Sequence, residues 1–107
     1  MRGAHIAVCL LVSVCKARSP QVHTIAIHNF HFEPETVTVE VGDKIEWKNE
    51  DIVPHTVTAD DKSFASGSIR PKRSWTFVPR KPGLFSYSCT PHPNMKGLLV
   101  VKAPRKK

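Results

Sequence analysis

Sulfur is scarce in this chain. Its 107 residues include three cysteines and two methionines. Cys9 and Cys15 sit near the start, which leaves Cys89 as the lone thiol of the rest. A lone cysteine cannot close an internal disulfide, so a disulfide-stapled scaffold is excluded. Long apolar runs are also missing. The longest, Ile6 to Val14 broken by Ser13, is far short of the ~20 residues that span a bilayer. No window shows a convincing helical stripe, and no internal repeat is visible, which excludes a solenoid or propeller. There is no His-x-His pair and no Met-rich or His-rich tract. No acid/base pair or nucleophile constellation stands out, so the expectation is that the chain is not an enzyme. The basic residues outnumber the acidic ones for a net charge of +7. They form no helix face and accompany no RNA-stacking aromatics, so no nucleic-acid partner is expected.

What is present begins with an export signal. Arg2 is a short positive start, Ile6 to Val14 is the apolar segment, and Cys15-Lys16-Ala17 places small side chains where a signal peptidase needs them. Residues 1–17 are therefore expected to be removed, placing the protein in the periplasm or otherwise outside the cytoplasm. The alternative is lipid anchoring at Cys15, although Val14 is a poor residue before such a cysteine. Residues 18–107 then form a single domain, expected to be a monomer with no stable membrane insertion. It ends in a basic tail at 102–107, and the basic surface suits steering toward redox partners with an acidic docking surface. Cleavage also leaves Cys89 alone in an oxidising compartment, where a metal would protect it. In a domain this small, a metal would also help hold the fold.

The remaining pattern is strand after strand. Thr36 to Val41 alternates polar and apolar, Gly42-Asp43 signals a turn, and Lys44 to Lys48 alternates again, which predicts a hairpin. Val22 to Ile27 precedes it. Pro54 to Ala59, Ser74 to Val78, Leu84 to Cys89 and Gly97 to Val101 follow, with a long connection over 60–73. Short strands separated by Pro and Gly predict an all-β antiparallel sandwich or barrel. Parity places Phe85, Tyr87 and Cys89 on one inward core face, Val37, Val39 and Val41 on one face, Ile45 and Trp47 on one face, and His55, Val57 and Ala59 on another. An inward imidazole needs a partner. His28 has the opposite strand parity to His23 and His31, so these three are expected to be solvent-exposed strand histidines rather than a second metal site.

The segment Cys89-Thr90-Pro91-His92-Pro93-Asn94-Met95 puts thiolate, imidazole and thioether at a Cys-x-x-His-x-x-Met spacing after a strand. Pro91 and Pro93 stiffen the loop by fixing φ. A loop Met is usually packing, a lone His usually surface, and a buried Cys usually an inert hydrophobe. Their conjunction within seven residues, with an inward His55 available as fourth ligand, points instead to a metal. Two imidazoles and a thiolate with a weak axial Met form the electron-transfer copper arrangement, whereas zinc sites rarely use Met.

The chain resembles the cupredoxins, and among them the amicyanin and plastocyanin type. The resemblance rests on Phe30-x-Phe32-x-Pro34, Val41-Gly42-Asp43, Trp47-x-Asn49-x-Asp51, Pro54-His55, Pro82-Gly83 and the ligand loop, whose two residues between His92 and Met95 are amicyanin-like. It implies an eight-stranded Greek-key β-sandwich with one type 1 copper ion near one end. It also implies an electron carrier cycling Cu(II) and Cu(I); copper delivery or storage is the alternative. It further implies that Asn49 ties its strand to the ligand loop near Thr90, and that the Thr56 N–H donates to the Cys89 sulfur. His92 would be the solvent-edge ligand, ringed by Pro54, Pro91 and Pro93. Thr56 stands where the family commonly has Asn. Asn94 stands where amicyanin has an aromatic residue, so the docking patch is expected to be more polar and a methylamine dehydrogenase partner is not implied.

Overall fold

The computed structural model describes residues 19–104. The expected leader at 1–17 and the last three residues of the basic tail lie outside them. Eight strands follow one another: β1 (Val22–His28), β2 (His31–Glu33), β3 (Thr36–Glu40), β4 (Lys44–Asn49), β5 (Thr58–Ala59), β6 (Ser74–Phe77), β7 (Gly83–Cys89) and β8 (His92–Lys102). They form two four-stranded sheets, ordered β2-β1-β4-β6 and β3-β8-β7-β5. No helix occurs among the described residues. The chain is thus an all-β sandwich, with one difference from the expectation. Each sheet contains a parallel pair, β1 with β4 and β3 with β8, so neither sheet is antiparallel throughout.

The reason lies at Gly42-Asp43. The expected hairpin is not formed, because β3 and β4 belong to different sheets. Alternation specifies which side chains are buried, not which strand supplies the ladder. Val39 and Ile45 reach the same core from opposite sheets. The turn between them is a crossover that needs the left-handed φ of +95° at Gly42. Asp43, buried beneath it, is satisfied on both oxygens. Oδ1 accepts the Gln21 N–H at 2.9 Å, while Oδ2 accepts the Glu40 N–H at 3.0 Å and meets His23 Nε2 at 3.0 Å.

Two further differences bear on the site. The unexpected β2 pairs with β1 across the two-residue turn Asn29-Phe30, making His28 and His31 direct partners. Parity counted along one continuous strand put them on opposite faces. The reversal of direction puts them on the same exposed face, while His23 points the other way, toward Asp43. The strand expected over 54–59 shortens to β5, because His55 pairs only as an isolated bridge with Ile69. Its inward parity survives, since His55 and Val57 are both 0% exposed and Ala59 is 1% exposed.

The core joins Ile25, Ile27, Phe32, Ile45 and Trp47 of one sheet to Val39, Tyr87, Leu99 and Val101 of the other. Trp47 Nε1–H donates to Tyr87 Oη at 3.2 Å across the sandwich. Burial pushes the Tyr87 phenol up to about 12, so it stays a neutral acceptor for the indole N–H. Tyr87 lies opposite Gly97 in the ladder. A Cβ on Gly97 would overlap Cζ and Oη of that ring and come within 2.7 Å of Cε1. Gly97→Ala is therefore expected to destabilise the domain by ~1–3 kcal/mol through overpacking, measured by urea denaturation. Tyr87→Phe, which strands only the indole N–H, should cost about 1 kcal/mol. An unchanged midpoint for Gly97→Ala would contradict this packing.

Candidate metal centre

Cys89 ends β7 and His92 begins β8, with only Thr90-Pro91 between them. The two are Cα partners across this turn, so their side chains project to one side of the hairpin. A register shift at Ser88/Cys89 bends the strand where the thiol is presented. Cys89 Sγ lies 3.5 Å from His92 Nδ1 and 3.6 Å from His55 Nδ1. The sequence expected these three donors together. They converge, with all ligand atoms within 4.8 Å of one another. Met95 shares the inward parity of Leu99 and Val101, is 4% exposed, and lines one concavity with His92.

The two imidazoles differ in their surroundings. His55 is fully buried. Its backbone is held by a reciprocal pair of bonds with Ile69, at 3.1 and 2.7 Å. Its Nε2 lies 2.8 Å from Asp51 Oδ2. A carboxylate can only accept here, so the proton sits on Nε2 and the Nδ1 lone pair is left facing Cys89. His92 is half-buried, and among the described residues nothing hydrogen-bonds its Nε2. It is the ligand candidate nearest solvent, with Pro54, Pro91 and Pro93 all exposed around the site.

Asp51 belongs to the family pattern without a role that the sequence assigns, and the surroundings of its carboxylate supply one. Its carboxylate accepts the Asn29 N–H at 2.7 Å and the Phe30 N–H at 3.0 Å in addition to the His55 proton. Burial alone would raise its pKa. The donors from Phe30, Asn29 and His55 outweigh that and hold it below the ordinary carboxylate range. The spacing from Asp51 to His55 was visible in the sequence, but the approach of the 29–30 turn was not.

The hydrogen-bond roles around the donors are partly redistributed. The Thr56 N–H does donate to Cys89 Sγ, at 3.3 Å. Asn49, expected to reach the ligand loop near Thr90, does not. Its Nδ2 donates to Val53 O at 2.8 Å and Ile69 O at 2.9 Å, and its Oδ1 accepts the Asp51 N–H at 2.9 Å. Fully buried, it spends both amide hydrogens and its oxygen fixing the loop that carries Asp51 and His55. The tie to the ligand loop falls to Thr56, whose Oγ1 accepts the Thr90 N–H at 2.8 Å; Thr58 and Thr90 hydroxyls meet at 3.3 Å. A hydroxyl at position 56 thus makes the link that the sequence assigned to an amide at 49.

A thiolate, two imidazoles and a thioether, mostly buried and held by surrounding hydrogen bonds, fit copper. The soft sulfur pair suits both of its oxidation states, and the set is a poor match for the N/O/thiolate preferences of zinc. Comparison with known proteins agrees. A profile of the cupredoxin-like domain matches residues 3–101. Amicyanin-alpha of Methylorubrum extorquens is 29% identical over 83 residues, covering 73% of this chain and 70% of its own length. The chloroplastic plastocyanin of Tetradesmus obliquus is 34% identical over 84 residues, 66% of this chain and 58% of its own length. The chain therefore spans only part of each relative. A Cu(I) structure of an amicyanin variant superposes with a TM-score of 0.71 at 26% identity, covering 76% of this chain and 82% of that one. Sandwich, donor cluster and matches converge on one conclusion: the chain belongs to the cupredoxin-like family.

Proposed function

We propose that this protein is an exported electron carrier that holds one copper ion with His55, Cys89, His92 and Met95. The observation that carries the reading is the preorganised donor set, three ligand atoms within 4.8 Å of one another, with Asp51 already on His55 and the Thr56 N–H already on the Cys89 sulfur. Bound copper supplies one-electron chemistry by alternating between two oxidation states. The protein's part is to keep the donors still. Asp51 fixes the His55 tautomer, the Thr56 N–H orients the sulfur, and Pro91 and Pro93 stiffen the loop between the donors. Ligands that need not move between states favour fast transfer. The half-buried His92 edge is the route for the electron, since His55 and Cys89 are fully buried. The same burial argues against copper delivery, which needs donors open to exchange. No catalytic role is assigned.

Export is supported by the leader-like residues 1–17, with lipid anchoring at Cys15 as the alternative form of it. The partner is a redox protein with an acidic docking surface, matched to a basic chain: loss of Arg2 and Lys16 with the leader takes the net charge from +7 to +5, 14 basic residues against 9 acidic. The protein works as a monomer in this reading.

Three outcomes follow. Cys89→Ser should abolish the intense visible charge-transfer band of the copper-loaded protein, measured by absorption spectroscopy, because that band needs the copper–thiolate bond; its survival would mean that the ligand set is wrong. His92→Gly should stay folded, lose most of its transfer rate in stopped-flow measurements, and recover part of the spectrum on adding imidazole. Reduction by an acidic redox protein should slow as salt rises, since screening acts over a Debye length of ~8 Å at physiological ionic strength, while self-exchange between two cationic copies should speed up. Rapid transfer of copper to a metal-free acceptor alongside sluggish reduction would replace the carrier with a delivery protein.

A further inference from the structure

The turn joining β1 to β2 breaks the usual rule for its type. Both central residues have positive φ, 52° at Asn29 and 61° at Phe30. Tight hairpin turns of this kind prefer Asn-Gly, because glycine reaches the left-handed region without steric cost. Asn29 suits the first position. Phenylalanine is a poor choice for the second, and bulky residues held there mark sites where something else is gained.

What is gained lies over the metal centre. Phe30 is 45% exposed as a residue. Its ring nevertheless stands edge-to-face against both candidate ligands. Its centroid is 5.0 Å from the His55 ring at 89°, and 4.8 Å from the His92 ring at 90°. The two imidazoles are 5.0 Å apart, so one phenyl ring bridges both. Phe30 also walls a concavity of about 320 Å³ lined by His31, His92, Pro93, Asn94 and Met95. Asp51 latches the turn from below. Its carboxylate takes the Asn29 and Phe30 N–H groups and the Nε2 proton of His55, joining the turn to the buried ligand. That latch uses only backbone amides at 29 and 30, so a glycine at 30 would serve it equally well. The side chain itself is what the strained conformation preserves.

We propose that Phe30 is a lid on the metal centre, latched by Asp51, which shields the His55 and His92 rings from small ligands and chelators and holds their planes fixed. It deepens the copper-carrier reading and rests on it. Of the other donors, Cys89 and His55 are 0% exposed and Met95 4%, with the Thr56 N–H on the sulfur and Asp51 on His55 Nε2. Phe30 closes the approach between the concavity and the His55 ring. Without it the concavity would extend to both imidazoles.

Phe30→Gly separates the lid from the fold, because it removes the ring while giving the turn its preferred Asn-Gly sequence. The variant should stay folded by circular dichroism and still take up one copper. Its loss of copper to EDTA should be about tenfold faster or more, in the range seen when residues supporting metal ligands are removed. Added azide should perturb its visible spectrum where the parent's is unchanged. Phe30→Leu should be intermediate. Ile52→Gly, which removes another exposed apolar side chain (91% exposed) with no ring contact to either histidine, should match the parent. A second readout needs no metal: in the metal-free protein, carbethoxylation of His92 followed by mass spectrometry should be faster in Phe30→Gly than in the parent. Parental rates of copper loss and of His92 modification in Phe30→Gly would overturn the lid. A parent chain that takes up no copper would instead overturn the carrier reading, and the His92 modification rates would then decide the shielding by themselves.

Discussion

Cys89 and His92 face one another across a turn of two residues. A thiol and an imidazole aimed at one point repay their ordering only if the turn between them costs little, and Pro91 lowers that cost by fixing φ in the unfolded chain as well as the folded one. The length of β8 follows from the same need. At eleven residues it is the longest strand, running from the ligand end to the opposite end between β3 and β7. Its inward row begins at Met95 and continues through Gly97, Leu99 and Val101. The ligand hairpin is therefore one end of the structure's most extensively paired element, and any movement of His92 must be transmitted against that ladder. The Trp47–Tyr87 contact, with room made by Gly97, then fixes this sheet to the other one, two residues from the thiol.

His55 arrives by a different route. It lies on no extended strand, so its position depends on a single backbone bridge to Ile69 and on side-chain hydrogen bonds. Asn49 and Asp51 supply them. Both are polar groups at the edge of a hydrophobic core, a placement that costs free energy unless every donor and acceptor is used. Asn49 uses its amide hydrogens on Val53 and Ile69 and its oxygen on Asp51. Asp51 divides its oxygens among two backbone amides and the imidazole. The chain Ile69–Asn49–Asp51–His55 is thus a satisfied polar network whose last member presents Nδ1 to the sulfur. Such a network specifies one arrangement strongly, because any partial rearrangement leaves a buried group unpaired.

This division explains which features were legible in the sequence. Alternation revealed the burial of Val39, Ile45, Trp47, Tyr87, His55 and Cys89, because burial follows local parity. The spacing of Cys89, His92 and Met95 was legible because one short segment carries all three. Pairing was not. Gly42-Asp43 reads the same whether it closes a hairpin or crosses between sheets, and only the global arrangement of eight strands decides. The His28–His31 pair was misplaced because a turn at Asn29-Phe30 is hidden when its second residue is a phenylalanine instead of a glycine. Asn49 was assigned to Thr90 and found on Val53 and Ile69, because a side-chain amide's partners depend on which loops fold back beside it. Thr56 took the vacated link with a hydroxyl that the sequence offered without indicating its target.

The concealed turn is also the place where local preference and function part. Natural chains are locally consistent over most of their length and depart from that at functional sites. Phe30 is such a departure: its φ of 61° opposes its own side chain, and Asp51 opposes the tendency to relax with two amide bonds. The carboxylate that compensates the strained turn is the one that selects the His55 tautomer. A change that loosens the turn must therefore also disturb the buried imidazole, which couples the outer covering of the site to its innermost ligand. For a carrier this coupling is useful in one direction. In the proposed carrier, electrons would pass through the His92 edge without moving any of these groups, whereas removing the metal would require the ring, the latch and the ligand to shift together.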